Sequence, residues 1–173
     1  GYCNVDFTYA TALRIYSEAN RSDFVINIKE NWDALALTDF YLTEDGTAQE
    51  TSRGHHYTYG KMYIEITRVA NYLQQLGLKQ GDHIAICGAN SSHWVIAYLA
   101  IAKIQGVSVT IMHSLMPEQI VELVHFSDAK ALFTDRDIWT DLQEMSMPQV
   151  ETVVMLEDWS CLQFICKRSI YDS

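Results

Sequence analysis

Between residues 57 and 156 the apolar positions change period several times, and each change marks an element. Met62, Ile66, Val69, Leu73 and Leu76 recur at spacings of four, three, four and three, which predicts an amphipathic helix ended by Gly77. His83-Ile84-Ala85-Ile86-Cys87 is a short apolar run entered from the Gly81-Asp82 turn and predicts a strand. A second helix follows, which Ser91 or Ser92 can cap by accepting a backbone N–H bond and Gly106 can close. Trp94, Val95, Ile96, Ala97, Leu99, Ala100 and Ile101 lie nearly all round it, so it is expected to be largely buried. Residues 107–112 are β-branched, as suits a strand covered on both faces. Pro117 fits the first turn of another helix, with Ile120, Leu123 and Val124 facing inward. Strands at 131–134 and 152–156 flank a short helix at 138–145. This alternation predicts an α/β fold: a mostly parallel central sheet with helices on both faces.

The pattern before residue 57 is less regular. Phe24, Ile28 and Trp32 fall four apart, on one helix face; residues 33–41 read as one strand, and Glu44-Asp45-Gly46-Thr47 as a turn. A polar loop then runs to Gly54, and His56-Tyr57-Thr58-Tyr59 returns as a strand that could close a hairpin. We divide the chain into a weakly ordered leader (1–22), a body (23–158) and a tail without clear pattern (159–173). No internal repeat, low-complexity block or charge run separates them.

At 173 residues and 49% hydrophobic content, the chain can bury one well-packed core. The longest apolar stretch, 94–104, is interrupted by Lys103 and is too short to span a bilayer. Asp6, Arg14 and Glu18 break up the start, which does not read as a secretory signal. Asp and Glu number 22 against 12 Lys and Arg, a balance that argues against a nucleic-acid partner, because phosphate neutralisation needs clustered cations. Cys3, Cys87, Cys161 and Cys166 show neither Cys-x-x-Cys nor zinc-ligand spacing, so a reducing cytoplasm and no metal site are expected.

Candidate chemistry is sparse. No Gly-x-Ser-x-Gly elbow supports a hydrolase triad, and no Gly-x-Gly-x-x-Gly follows a strand. His93 and His125 lack a second ligand one turn on, and His55 and His56 read as loop residues. Open α/β sheets bind ligands at the carboxyl ends of their strands. That rule selects His113, after the 107–112 strand, and Asn90 and Ser91, after Cys87, as candidates for a substrate-cleft wall. The alternatives are a polar strand end for His113 and simple helix capping for Asn90, Ser91 and Ser92.

Several motifs, taken in order, resemble the opening region of the AMP-forming acyl-CoA synthetases, most closely the long-chain fatty acid CoA ligases. Tyr57-Thr58-Tyr59-Gly60-Lys61-Met62 is similar to the family's Thr-Tyr-x-Glu-Leu junction, although Lys61 stands where an acid is common. Leu76-Gly77-Leu78-Lys79-Gln80-Gly81-Asp82-His83-Ile84-Ala85 matches the turn Leu-Gly-Val-x-x-Gly-Asp-x-Val-Ala, and Asn90-Ser91-Ser92-His93-Trp94 the loop Asn-Ser-x-x-Trp. Lys103-Ile104-Gln105-Gly106-Val107-Ser108-Val109-Thr110-Ile111 is similar to Lys-x-Gly-Ala-x-x-Val-Pro-Leu, with Thr110 replacing proline. Pro117-Glu118-Gln119-Ile120 and Ser127-Asp128-Ala129-Lys130-Ala131-Leu132-Phe133 complete the series, which spans 24–156.

The resemblance implies the N-terminal subdomain of an acyl-CoA synthetase-like fold. It also implies a parent enzyme that uses ATP, Mg and CoA to activate a fatty acid through an acyl-adenylate. The family's phosphate loop ending in Pro-Lys-Gly, its Tyr-Gly-x-Thr-Glu motif and its later catalytic Lys do not occur in these 173 residues. This chain alone is therefore expected to hold no cofactor, to carry no catalytic residue and to be inactive. Its partner would be the remainder of the parent, which the resemblance leaves cytoplasmic or peripheral to a membrane. Surface normally covered by that remainder would invite self-association. A stand-alone α/β ligand-binding or protein-interaction module is the alternative.

Overall fold

The computed structural model describes residues 28–42, 47–50 and 56–164. The leader, Phe24 and Glu44-Asp45-Gly46 lie outside the described residues. Two compact units interleave along the chain. One takes in the residues up to Gly81 together with Ala89–Val107; the other takes in Asp82–Gly88 and the residues from Ser108 on.

In the first unit, β1 (Leu35–Thr38) pairs antiparallel with β4 (His56–Thr58), and β2 (Phe40–Leu42) pairs antiparallel with β3 (Ala48–Glu50). This corrects three expectations. The single strand over 33–41 is broken at Asp39 into two; the polar loop holds β3; and β4 closes back on β1 with the β2–β3 hairpin inserted between them. Helical backbone also stops at Glu30, so Trp32 sits in the turn that follows. Its ring occupies the space a Cβ on Gly60 would need, and its carbonyl accepts the Gly60 N–H at 2.9 Å.

Helix α1 (Tyr59–Gln75) begins at Thr58, whose hydroxyl accepts the Lys61 N–H at 3.2 Å. Met62, Ile66, Val69, Ala70 and Leu73 form its buried face, as their period predicts. Gly77 takes the left-handed φ of 91° that ends the helix, and the Leu78 N–H returns to the Leu73 carbonyl at 3.1 Å. The helix packs against α2 (Ser92–Lys103). At the end of α2 the left-handed residue is Gln105, with φ 59°, and not the expected Gly106.

The second unit is a five-stranded sheet in the order β6-β5-β7-β8-β9. Strands β5 (His83–Cys87), β7 (Ala131–Thr134) and β8 (Thr152–Met155) run parallel, and β9 (Cys161–Gln163) is antiparallel to β8. Helices α3 (Pro117–Phe126) and α4 (Arg136–Leu142) supply Ile120, Val124, Trp139 and Leu142 to a core shared with Ala85, Cys87, Leu132, Val153 and Met155. Residues pointing to the other face, Ile84, Ile86, Phe133 and Val154, are fully buried as well. Uninterrupted apolar runs in the three parallel strands reflect this double coverage.

Four sequence expectations shift here. β6 (Val107–Ile111) is an edge strand with Val107 exposed, where two-sided coverage was expected. Leu123 is 40% exposed, because Ile120 and Val124 already fill the inward face of α3. α4 starts two residues before its expected position. β9, in the stretch that showed no pattern, gains its order from the ladder with β8.

Candidate functional site

Parallel register aligns Cys87, Thr134 and Met155 at the carboxyl ends of β5, β7 and β8. Each strand is followed by a residue that closes this rim: Gly88, Asp135 and Leu156. A Cβ on Gly88 would run into Leu156 Cδ1 and come within 2.9 Å of Asp135 Oδ1, so the crossing requires glycine. The Leu156 N–H donates to the Thr134 carbonyl at 3.0 Å, and the Arg136 N–H to Glu157 Oε1 at 2.7 Å. Arg136 Nη2 also reaches Asp158 Oδ2 at 2.8 Å. Hydrogen bonds from Ser160, and then the Arg136 guanidinium, hold the Asp158 carboxyl below its usual range. Burial, with the Asp135 charge behind it, pushes the Cys87 thiol up to about 11. The thiol is protonated at neutral pH and is no nucleophile. The rim is shaped by backbone and bears acids.

The expected site residues fall on such ends. Asn90 is exposed in the turn before α2, and Ser91 is the N-cap, its hydroxyl accepting the Trp94 N–H at 3.1 Å. His113 is exposed in the turn after β6, in the second unit.

A polar cluster that the sequence did not reveal lies beside Ser91. Asp39, in the break between β1 and β2, accepts the Ser92 N–H on Oδ1 and the Ser92 hydroxyl on Oδ2, both at 2.7 Å. A carboxylate there meets both the unsatisfied N–H groups and the positive end of the helix dipole. One turn of chain away, the Tyr57 hydroxyl and His93 Nε2 are 3.1 Å apart. Tyr57 is pushed up to about 12 by its burial, then by the charges of Glu65 and Asp39, against a smaller opposing pull from Arg68. The sequence signal was present in Ser92 and His93, polar residues on an apolar helix. Buried groups of that kind need partners, but the partner of Ser92 lies 53 residues away.

Other histidines have local roles. His83 Nδ1 is 2.6 Å from the Ser127 carbonyl, and His125 is exposed. The buried Asp82 carboxylate pairs with Lys130 at 2.7 Å, at the opposite end of the sheet from the rim. Near the start of β8 a cavity of about 290 Å³ is lined by Trp139, Met145, Met147, Val150, Glu151 and Phe164 among others. Among the described residues, no three His, Cys, Asp or Glu side chains are placed to hold a metal ion, and no helix is long and apolar enough to cross a membrane.

The sequence model of the AMP-binding enzyme family matches residues 27–169. This chain belongs to that family. Its fold, an α/β architecture with a mostly parallel five-stranded sheet, is that of the N-terminal subdomains of adenylate-forming enzymes of the acyl-CoA synthetase superfamily. A crotonobetaine/carnitine–CoA ligase of Escherichia coli is 28% identical over 142 residues, which is 81% of this chain and 25% of that protein. Coronafacic acid ligase from Pectobacterium brasiliense superposes with a TM-score of 0.64 at 19% identity, covering 82% of this chain and 25% of that one. For the Mycobacterium tuberculosis fatty acyl CoA synthetase the values are 0.55 and 22%, covering 60% and 22%. The chain thus spans about a quarter of the curated relatives it matches.

Proposed function

We propose that these residues are the leading part of an AMP-forming long-chain fatty acid CoA ligase. In that reaction the fatty acid carboxylate attacks the α-phosphate of ATP, releasing pyrophosphate. The CoA thiol then displaces AMP from the acyl-adenylate to give the thioester. The family match over 27–169 carries this reading. The long-chain assignment is supported by the motif series from Tyr57 to Phe133 and by likeness to a protein titled a fatty acyl CoA synthetase.

Within such an enzyme this chain contributes scaffold, with Asn90, Ser91 and His113 on the wall of the acyl and CoA cleft. The residues present do not fit the nucleotide itself. Backbone amides of a glycine-rich loop and a lysine are needed to neutralise developing phosphate charge, whereas the rim of β7 and β8 carries Asp135, Glu157 and Asp158. No step of adenylation is assigned to this chain, and ATP, Mg and CoA would be held by the rest of the enzyme. A second reading, a small charged acid as substrate, is favoured by the crotonobetaine/carnitine–CoA ligase relatives.

Thioester formation tests both parts. The purified 173-residue protein, given palmitate, ATP, Mg and CoA, should yield no palmitoyl-CoA. The protein translated from the whole reading frame should yield it and prefer palmitate to crotonobetaine or benzoate. Turnover by the 173-residue protein would overturn the assignment of catalysis elsewhere, and preference for crotonobetaine would favour the second reading.

A further inference from the structure

β6 ends the sheet, and among the described strands none lies on its outer side. Natural edge strands are usually blunted by Lys, Pro, a bulge or an inward charge, because an open row of N–H and C=O groups templates another strand. β6 has none of these devices. It reads Val107-Ser108-Val109-Thr110-Ile111, four of its five residues being β-branched. Residues 104–117 contain no Asp, Glu, Lys or Arg, although such residues make up 20% of the chain. Val107 is 44% and Met112 68% exposed, so apolar side chains mark both ends of the strand.

From these observations we propose that the outer edge of β6 is a self-association surface, where two copies of this chain pair strand to strand and antiparallel about a two-fold axis. Charge selects the occupant. Each copy carries a net charge of −10, which repels a second copy over most of the surface. At this edge alone there is a long charge-free run, and an antiparallel pairing of identical strands brings no acid against an acid. A charged peptide would find no counter-ion here. The pairing is isologous, so it closes at two copies. A five-residue ladder is smaller than a standard interface, which places the dissociation constant on the order of 10 μM.

Sedimentation velocity from about 1 to about 200 μM on the 173-residue protein should show a reversible monomer–dimer equilibrium. Thr110→Lys, at an exposed position of the strand, sets like charges across the two-fold and should weaken the dimer at least about tenfold. Phe126→Glu, at the 87% exposed end of α3, should leave the constant unchanged. Circular dichroism of both variants confirms that they fold. A monomer at every concentration would overturn the proposal. So would a dimer dispersed by Phe126→Glu but not by Thr110→Lys, or growth into open-ended, thioflavin-binding assemblies. A monomer that instead captures a synthetic Val-Ser-Val-Thr-Ile peptide would assign the edge to another chain and equally overturn it.

Discussion

Replacing Asp39 by alanine should unfasten the N-terminus of α2. The carboxylate makes two hydrogen bonds of 2.7 Å to Ser92, which is 0% exposed. Bonds to a charged group contribute about 1.5–3 kcal/mol each, and removing an acceptor also leaves its donors buried without a partner. The helix-terminal charge adds about 0.3–1 kcal/mol. Against this, Asp39 is only half-buried, and water admitted to its place recovers part of the loss. We expect a net destabilisation of about 3 kcal/mol, seen as a fall in Tm of about 6–12 °C.

A graded series separates this clamp from a generic surface effect. Asp39→Asn keeps the shape and one good acceptor but loses the charge, and should cost about 1–1.5 kcal/mol. Ser92→Ala removes the hydroxyl donor together with its bond and should cost about 1 kcal/mol. The double variant should be less damaged than the sum of the singles, since the two residues share a bond. Urea titration followed by circular dichroism gives the energies, and hydrogen exchange across residues 92–103 localises the loss. A cost below about 0.5 kcal/mol for Asp39→Ala, or exchange that rises elsewhere and not in α2, would refute the clamp.

Gly88→Ala should destabilise by about 1–3 kcal/mol through overpacking, because Leu156 is buried and cannot swing away; adding Leu156→Val should restore much of the loss, as measured by urea denaturation. Cys87, buried and held protonated with its value near 11, should resist iodoacetamide in the native protein at pH 8 while the half-buried Cys161 reacts, which peptide mass mapping resolves. Stability should fall steadily above pH 10. The Lys130 value is raised from 10.5, chiefly by its hydrogen bond to Asp82, so that pairing is intact below 10.5 and is lost as pH climbs through the folded value. Tyr57 acts in the same direction: its hydroxyl stays protonated to about 12 in the fold but ionises from 10 in the unfolded chain, so ionisation favours unfolding across that interval. Thermal melts from pH 9 to 12 on the protein and on Tyr57→Phe check this, with a smaller alkaline loss expected in the variant.

What the sequence made legible was whatever a residue's own neighbours decide. The strands at His83–Cys87 and Ala131–Thr134 are short, wholly apolar runs because both faces of the sheet are covered there. Helix α1 shows its period because one face meets a core and the other meets water. Short strands that owe their order to a partner were invisible: β3 and β9 carry no apolar alternation, and the ladder holds them. β-Branched residues in β6 reported sheet preference correctly but not position in the sheet, since Val and Thr suit an edge as well as a centre. The Asp39 clamp was illegible for a different reason. Asp39 in isolation is one of 22 acids, and only the closure of a 53-residue loop brings it to Ser92.

Charge ties the proposed function to this architecture. Fatty acid carboxylate, ATP and CoA are all anionic, and a site that joins them must supply cations where phosphate charge develops. A chain with 22 acids, 12 bases and acidic loops beside its strand ends supplies the reverse. Its contribution to such an enzyme is then positional: Gly88 lets β5 turn within contact of Asp135 and Leu156, and Asp39 and Ser91 fix the start of α2. Substitutions at these positions should act on folding and on KM for acyl or CoA groups before they act on kcat, because none of these side chains has a proton or a charge to offer the reacting phosphorus.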